Sequence, residues 1–222
     1  MKDWLRKKRE RDPYREKARK LGIRSRAYFK LMDIDRRYGI FRNGDIVIDL
    51  GAYPGGWLQY ISEKIGIDGR VIGVDIKEIK DFIDRPNIST VKGDIFDKET
   101  MDKLNEILGG EKADVVVSDL SPNITGIWEL DTERIYDYNM RVLNYIDKYL
   151  KRGGRAVIKS FEGRYSSRII KRIRERFRWV GSYKPKASRK RSAEFYIIGM
   201  DYLGKPRRRS RKSRNEQSVF NP

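Results

Sequence analysis

Four ionisable residues stand in apolar segments of this chain, where an uncharged side chain would be easier to bury. Lys30 lies in the largely apolar stretch 27–31, Asp119 follows a run of valines, Lys159 ends the apolar run 156–158, and Glu194 opens the last apolar segment. Taken singly, each is as well explained by a surface charge or by half of a buried ion pair. Taken together, they supply two amines and two carboxylates for proton transfer or for positioning a substrate.

The composition restricts what other chemistry is possible. The 222 residues include no cysteine and no histidine. The chain therefore has no disulfide, no thiolate nucleophile and no cysteine-based zinc or iron–sulfur site. It also has no Ser-His-Asp triad and no imidazole base. Acid–base chemistry must come from lysine, aspartate, glutamate or tyrosine.

A second set of residues has the spacing of an adenosine-binding crevice. A glycine-rich loop at 49–57 follows the first predicted strand, and acidic residues follow the next two strands. The glycines allow a sharp turn and close approach to a ligand, and an acid after the second strand can accept hydrogen bonds from a ribose diol. The cofactor contacts predicted from this pattern are Gly51, Ala52, Pro54, Gly55, Gly56, Asp75, Ile76, Asp94 and Ile95.

Two cofactors suit such a crevice. NAD needs a pyrophosphate cradle, usually Gly-x-Gly-x-x-Gly, and residues 51–56 lack the second glycine of that pattern. S-adenosylmethionine has no phosphate and needs no such cradle. A purely structural glycine turn beside ordinary surface acids is the remaining explanation.

The elements that must position these residues alternate along the chain. Short apolar segments predict strands at 46–50, 71–75, 88–91, 113–118, 156–158, 178–183 and 194–202. Helices are predicted at 25–38, with Ser25 as N-cap and Gly39 as terminator, and at 56–65, 98–108, 131–151 and 165–177. Glycines 153 and 154 are expected to follow the helix at 131–151. The pattern predicts an α/β fold with a mostly parallel seven-stranded sheet, one antiparallel strand and helices on both faces.

The positive charge is concentrated in three segments. The formal charge is +19, from 51 Lys and Arg against 32 Asp and Glu. Segments 1–26, 155–191 and 205–222 carry +8, +12 and +6, which leaves −7 on the rest of the chain. Phosphate neutralisation is the direct explanation, so we expect nucleic acid as partner. A membrane surface is the competing polyanion, but there is no signal-peptide pattern and no run long enough to span a bilayer. We therefore expect a cytoplasmic protein.

The motifs that surround these residues resemble the FtsJ/RrmJ (RlmE) family of ribose 2′-O-methyltransferases, archaeal type. The resemblance covers about residues 24–203 and includes Ser-Arg-Ala-Tyr-Phe-Lys-Leu at 25–31, the loop at 49–57, Ser-Asp-Leu-Ser-Pro-Asn at 118–123 and Ser-Arg-x-x-Ser-x-Glu-x-Tyr at 188–196. Tyr53 departs from it, because many relatives have a small residue there. The resemblance predicts a methyltransferase domain at 24–204. The basic ends fall outside it, and their composition predicts a helical arm at 1–23 and a disordered tail at 205–222.

The resemblance implies a Rossmann-like fold, S-adenosylmethionine as cofactor with S-adenosylhomocysteine as product, and a catalytic tetrad of Lys30, Asp119, Lys159 and Glu194. It also implies that Trp57 and Asp119 contact the cofactor, together with Gly55, Asp75 and Asp94. Lysine has a reference pKa near ~10.4, which burial and a neighbouring cation lower. Lys159 would then accept the proton of the ribose hydroxyl or steer its oxygen, with Lys30 as the neighbouring cation. Asp119 would orient Lys159 near the sulfonium, and Glu194 would hold either the ribose or Lys30.

The implied substrate is a uridine in large-subunit (23S) ribosomal RNA, presented in the assembled 50S subunit to a monomeric enzyme without metal. Phosphates would be brought to the site by Arg24, Arg26, Lys184, Lys186, Arg189, Lys190 and Arg191. Three alternatives remain: a methyltransferase of tRNA anticodon-loop ribose, a non-catalytic RNA-binding protein on the same fold, and an NAD-dependent oxidoreductase.

Overall fold

The computed structural model describes residues 12–123, 125–189 and 192–206, and these residues form one seven-stranded sheet. The strands are β1 (Ile46–Leu50), β2 (Arg70–Asp75), β3 (Ile88–Lys92), β4 (Ala113–Ser118), β5 (Leu150–Phe161), β6 (Phe177–Tyr183) and β7 (Glu194–Tyr202). Their order across the sheet is β3-β2-β1-β4-β5-β7-β6. The order reverses between β1 and β4, which is where ligands bind in open sheets of this kind.

Helices cover both faces of the sheet. They are α1 (Pro13–Lys20), α2 (Ala27–Tyr38), α3 (Gly56–Ile65), α4 (Lys98–Leu108), α5 (Trp128–Tyr149) and α6 (Ser166–Arg174). Alternate residues of β1 enter two separate cores, since Ile48 packs with α4, α5 and α6 while Val47 packs with α2 and α3. The predicted α/β class with two covered faces is confirmed.

The predicted antiparallel strand is β7. It pairs antiparallel with β5 on one side and with β6 on the other, whereas the other adjacent strands pair in parallel. The register sets Lys159 opposite Tyr196 and Phe161 opposite Glu194. Because β7 runs backwards, its first residue meets the last residues of β5. The start of one strand and the end of another thereby deliver side chains to the same edge.

Two predicted element boundaries are wrong. Strand β5 starts at Leu150, directly after α5, so glycines 153 and 154 lie inside the strand and do not terminate the helix. Gly153 has a φ of 77°, and the β4–β5 register shifts between Ala113 and Val115, so this part of the strand is irregular. At α2 the N-cap is Arg26, not Ser25, and no side chain caps the helix. Gly39 ends α2 in the left-handed conformation, as expected (φ 63°).

Helix α1 is the described part of the predicted N-terminal arm, and it packs against the domain. Asp12 caps it by accepting a hydrogen bond from the backbone N–H of Arg15 (3.2 Å). Ala18 is buried in a small cluster with Phe29 of α2 and Ala187, which precedes β7. Residues 1–11 and 207–222, which hold the rest of the arm and most of the tail, lie outside the described residues. Within the described part of the chain, no helix has the length and apolarity needed to cross a membrane.

Candidate active site

Four elements bring the four predicted catalytic side chains together. Lys30 comes from α2, Asp119 follows β4, Lys159 lies near the end of β5 and Glu194 opens β7. Lys30 Nζ lies 2.6 Å from Glu194 Oε1, and Lys159 Nζ lies 3.3 Å from Asp119 Oδ1. Lys159 Nζ is also 4.0 Å from Glu194 Oε2, so Glu194 lies between the two amines. The expected partner of Glu194 is either the substrate ribose or Lys30, and these distances are those of an ion pair with Lys30.

Tyr196 links the two halves of this cluster, and its contribution was missed by sequence reasoning. Its hydroxyl donates to Asp119 Oδ1 (2.7 Å) and accepts from Lys30 Nζ (3.4 Å). The residue is fully buried, and its ring lies 5.8 Å from that of Trp57. Tyr196 stands two residues after Glu194, so the alternation of side chains along β7 places both on the same face. That spacing is the signal that could have identified it.

Burial and neighbouring charges determine the protonation states of Glu194 and Tyr196. Burial alone raises the pKa of Glu194, but the hydrogen bond and charge of Lys30, together with the charge of Lys159, hold it below its ordinary value. Glu194 therefore stays a carboxylate at neutral pH. Burial, followed by the charges of Asp119 and Glu194, raises the pKa of Tyr196 well above its ordinary value. Its phenol keeps its proton and acts as a donor to Asp119.

The glycine-rich loop packs tightly against its own protein neighbours. A Cβ at Gly56 would lie 2.1 Å from Ser25 Oγ, and one at Gly51 would lie 2.9 Å from the Leu120 side chain. Gly51 and Gly55 also have φ values of 82° and 105°, which L-residues with side chains rarely adopt. These glycines let the loop fit between the start of α2 and the end of β4. Ala52 and Trp57 are buried, and the Trp57 Nε1 donates to the carbonyl of Ala27 in α2 (2.8 Å).

The two acids predicted to hold adenosine lie at the same edge of the sheet. The carboxylate of Asp75 accepts the backbone N–H groups of Tyr53 and Lys77, both at 2.9 Å. Asp94 accepts the backbone N–H of Phe96 at 2.9 Å. Each oxygen retains a free lone pair for a further donor. Ile95 is buried, whereas Ile76 is exposed.

Asp49 is a third acid at this edge, and the sequence prediction did not include it. Its side chain is 0 % exposed, and neither oxygen has a hydrogen-bond partner within the described residues. Burial, then the negative charges of Asp119 and Asp75, raise its pKa well above the ordinary value. A buried carboxyl without a donor is costly. A bound cation would relieve that cost.

The residues predicted to bind RNA fall into two groups. Arg24 and Arg26 already bind protein: Arg24 donates to the carbonyls of Lys80 (2.5 Å) and Asp81 (2.6 Å), while Arg26 pairs with Asp12 and donates to the carbonyl of Ala187. The side chains of the second group, Lys184, Lys186 and Arg189, are exposed on the loop before β7. Lys190 and Arg191 lie outside the described residues.

Comparisons with known proteins identify the family. The model of the FtsJ-like methyltransferases matches residues 23–202. The chain belongs to this family. Two relatives, both named Ribosomal RNA large subunit methyltransferase E, are 43 % identical to this chain. The match to the protein of Methanosphaera stadtmanae covers 89 % of this chain and 96 % of that protein. The match to the protein of Methanothermobacter thermautotrophicus covers 89 % of this chain and 92 % of that protein. The relative of that name from Methanocaldococcus jannaschii is 39 % identical over 96 % of this chain and 87 % of its own.

Solved structures of methyltransferases share the fold of this FtsJ-like chain. A candidate ribosomal RNA methyltransferase from Plasmodium falciparum superposes with a TM-score of 0.74 at 27 % identity, covering 82 % of this chain and all of that one. Fibrillarin from Aeropyrum pernix, solved with natively bound S-adenosyl-L-methionine, superposes with a TM-score of 0.53 at 17 % identity over 78 % of this chain and 76 % of its own. The Rossmann-like methyltransferase fold is confirmed.

The lowered pKa of Glu194 predicts a pH-dependent contribution to stability. Because the pKa is lower in the folded than in the unfolded state, where it is about 4.5, the stabilisation is full above pH 4.5 and is lost as the pH falls through the folded-state value. Glu194→Gln leaves Lys30 without its nearest anion and should lower the free energy of unfolding by about 2–4 kcal/mol at pH 7. Urea unfolding at a series of pH values measures this difference, which should shrink below pH 4.5.

A suitable control is Glu99→Gln, which removes an exposed carboxylate paired with Lys103 across one helical turn. Such surface pairs contribute little to stability. A Glu194→Gln deficit that stayed constant down to pH 3, or that was matched by Glu99→Gln, would contradict the assignment.

Proposed function

We propose that this FtsJ-like methyltransferase transfers a methyl group from S-adenosylmethionine to the ribose 2′-hydroxyl of a uridine in large-subunit ribosomal RNA. The observation that carries the proposal is the joint placement of Lys30, Asp119, Lys159 and Glu194 at the edge of the sheet. Nucleophilic catalysis by cysteine and proton transfer by histidine are absent from this composition. Lysine-centred positioning of a hydroxyl fits the residues that are present.

The acidic crevice suits a cationic cofactor. Asp49, Asp75 and Asp119 lie close enough for the charges of the last two to raise the pKa of Asp49. S-adenosylmethionine carries a sulfonium and an ammonium, so the crevice would attract it. The pyrophosphate of NAD would instead be repelled, and the loop lacks the glycine pattern that cradles a pyrophosphate. This charge distribution favours S-adenosylmethionine over a nicotinamide cofactor.

The chain offers a contact for each part of that cofactor. Asp75 would accept the ribose hydroxyls with its remaining lone pairs, and Asp94 with Ile95 would hold the adenine. Asp49 would accept the ammonium group, which gives its two unpartnered oxygens a donor. The backbone at Gly51, Ala52, Pro54, Gly55 and Gly56, with Trp57 behind it, would form the floor. Ile76 is exposed beside Asp75 and would cover the adenosine.

The tetrad would position and deprotonate the ribose hydroxyl. The bound cofactor supplies an electrophilic methyl group on a sulfonium. Lys159 would accept the hydroxyl proton or steer the 2′-oxygen into line with the methyl carbon. With the hydroxyl proton held by Lys159, the ribose oxygen would take the methyl group directly from the sulfonium, which would leave as a neutral thioether, and no residue would need to form a covalent intermediate. This in-line transfer depends mainly on positioning.

The other three members, with Tyr196, would hold Lys159 in place. Asp119 contacts Lys159 through its carboxylate (3.3 Å) and its backbone carbonyl (3.4 Å), which fixes the amine from one side. Tyr196 in turn donates to Asp119. The ammonium of Lys30 neutralises Glu194 and adds positive charge near the ribose oxygen. Tyr196 is therefore a positioning residue.

The substrate assignment depends on the relatives and on the distribution of charge. Relatives about 40 % identical over most of the chain are named for the RNA of the large ribosomal subunit. Lys184, Lys186 and Arg189 lie on the loop that leads into Glu194, so phosphates bound there would be next to the site. Arg24 and Arg26 are already occupied by protein carbonyls and Asp12, and direct phosphate contacts from them remain a prediction.

Replacing the proposed base tests the mechanism. Lys159→Ala should reduce methyl transfer by at least ~100-fold, since a positioned general base contributes about that much or more. Cofactor affinity should stay nearly unchanged, because the amine contacts Asp119 and Glu194 and does not belong to the adenosine crevice. Single-turnover transfer and calorimetric titration with S-adenosylhomocysteine measure the two quantities. Near-normal turnover would refute the proposed role, and Lys171→Ala on the surface of α6 is the matched lysine control.

Replacing Asp75, the proposed hydrogen-bond acceptor for the cofactor's ribose, should weaken cofactor binding, which the Lys159 substitution should leave nearly unchanged. Asp75→Ala removes the proposed partner of the ribose hydroxyls and should weaken cofactor binding by about 10-fold or more, which is the cost of losing hydrogen bonds to a charged group. Equilibrium titration measures the dissociation constant. Asp68→Ala, an exposed acid at the far end of β2, serves as control. Equal affinities for wild type and Asp75→Ala would contradict the cofactor assignment.

The RNA target is tested by comparing substrates directly. We expect radiolabelled methyl groups to enter large-subunit ribosomal RNA, offered either as naked RNA or as intact subunits, with the label on the ribose of a uridine. The modified nucleotide is mapped after digestion. Incorporation into tRNA alone would replace the ribosomal assignment with the tRNA alternative. Absence of both cofactor binding and transfer would favour a non-catalytic RNA-binding protein.

A further inference from the structure

A partly exposed group of aromatic rings lies along the edge strand β6. It consists of Trp179 and Tyr183 of β6 and Tyr38 at the end of α2, with Arg37 beside them; we call these four residues the edge patch. Trp179 is 46 % exposed, and the Arg37 side chain is exposed as well. Within the described residues β6 has a neighbour only on the β7 side, so the patch lies at the edge of the sheet.

Gly181 shapes the edge patch by letting the indole of Trp179 lie flat along the strand. Residues 179, 181 and 183 lie on the same face of β6, because every second residue of a strand points to the same side. A Cβ at position 181 would lie 2.4 Å from Cη2 and about 3 Å from two further ring carbons of Trp179. Only glycine leaves that space free. One face of the indole therefore lies against the backbone at Gly181, and the other face is left exposed.

The remaining members of the edge patch are held in place by several contacts. The rings of Tyr38 and Trp179 are 5.7 Å apart, and Tyr38 meets Tyr183 edge-on at 5.9 Å. The guanidinium of Arg37 lies 5.6 Å from the Tyr38 ring and 5.2 Å from the Tyr183 ring. Asp33 is the nearby acid, and its carboxylate already accepts from Tyr183 OH (3.0 Å) and from the backbone N–H of Lys186 (2.8 Å). The patch thus combines a flat aromatic surface with an exposed cation.

The edge patch begins level with the active site. Tyr183 pairs with Tyr196 of β7, which in turn pairs with Lys159 of β5. Trp179 pairs with Met200, four residues further down the strand, or about 13 Å away at ~3.3 Å per residue. The exposed basic side chains of Lys184 and Lys186 directly follow Tyr183. A chain held at the tetrad could therefore continue over the basic loop and onto the aromatic rings.

We infer that the edge patch binds an unpaired segment of the substrate RNA that flanks the modified nucleotide. A base would stack on the open face of Trp179, and its phosphate would pair with Arg37 or Lys186. Flat aromatic side chains interleaved with cations are the surface that single-stranded nucleic acid prefers, because every base has a face that can stack. The inference takes its ligand, RNA, from the proposed function and adds a second contact outside the site.

A second copy of the chain is the other occupant to consider, since an open strand edge can pair with another. Charge argues against it. The chain carries a net +19, and Arg37, Lys184 and Lys186 are exposed at this edge, so two copies would bring like charges together. The same charges attract a polyanion.

Two substitutions separate stacking from charge. Trp179→Ala should weaken binding of a single-stranded RNA about 10-fold, within the range measured for loss of one stacked base, without changing the salt dependence. Trp179→Phe keeps a ring and should bind close to wild type. Arg37→Ser should lower the slope of log affinity against log salt by about 0.7, which corresponds to one phosphate on a single strand. Lys98→Ser removes an exposed positive charge at the start of α4, which packs on the opposite face of the sheet and outside the three basic segments, and should leave the affinity for RNA nearly unchanged.

Fluorescence anisotropy with labelled single-stranded and duplex RNA of the same sequence measures these effects. The loss in Trp179→Ala should appear with the single strand and be absent with the duplex, whose bases cannot stack on the indole. In methyl-transfer assays KM should rise by a similar factor with kcat unchanged. Thermal unfolding of each variant establishes that the fold is retained, and Arg37→Ser tests the patch even if Trp179→Ala is unstable.

Three results would overturn the inference. The first is an RNA affinity that is the same for wild type, Trp179→Ala and Arg37→Ser, and the second is an equal loss of affinity for single-stranded and duplex RNA in Trp179→Ala. The third is a wild-type dimer that Trp179→Ala dissociates without changing RNA affinity. The last would assign the edge patch to contact between copies. Failure of the proposed function is distinguishable, because it would appear as absent cofactor binding and transfer in the wild type. RNA binding by the patch requires neither.

Discussion

The pairing of two largely buried amines with two carboxylates is the interaction on which the site depends. Lys30 and Glu194 are each about 10 % exposed in their side chains, and their pairing at 2.6 Å is the shortest charged contact of the tetrad. Removing one member would leave an uncompensated charge in a poorly solvated place. The four charges stabilise one another only when α2, β4, β5 and β7 are all in position. The fold and the chemistry therefore impose the same requirement.

The charges of the domain are arranged by the sign of the ligand each region would meet. Asp49, Asp75 and Asp119 converge beyond the parallel strands, where a sulfonium would lie. The exposed side chains of Lys184, Lys186 and Arg189 lie on the loop before β7, where phosphates would lie. The tetrad stands between the two regions and contains both signs. Such a division lets a cation and a polyanion approach one centre without competing for the same groups.

Much of the fold and the tetrad could be predicted from the sequence, because short buried strands and isolated charges in apolar runs are local patterns. The boundaries at Gly153 and Ser25 failed, because an irregular strand continues through one and the first helical turn forms without a side-chain cap at the other. Asp49 and Tyr196 were missed, since an acid inside a strand and a tyrosine in a core have ordinary explanations. Asp49 is distinguished only by a tertiary fact, the lack of a hydrogen-bond partner within the described residues. Tyr196 could have been noticed from its spacing to Glu194, but its bond to Asp119 is visible only in the fold.

The position of β7 has a consequence for the order in which the chain folds. Among the described residues β6 pairs only with β7, and β5 meets β6 through β7 alone, so the last of these seven strands to be synthesised joins the two. Lys30, Asp119 and Lys159 can be placed by earlier segments, but their anionic partner Glu194 and the hydroxyl of Tyr196 arrive with the final strand. A nascent chain would therefore hold the ammonium of Lys30 without its carboxylate partner until β7 has left the ribosome. The site can be completed only after that strand has paired with both β5 and β6.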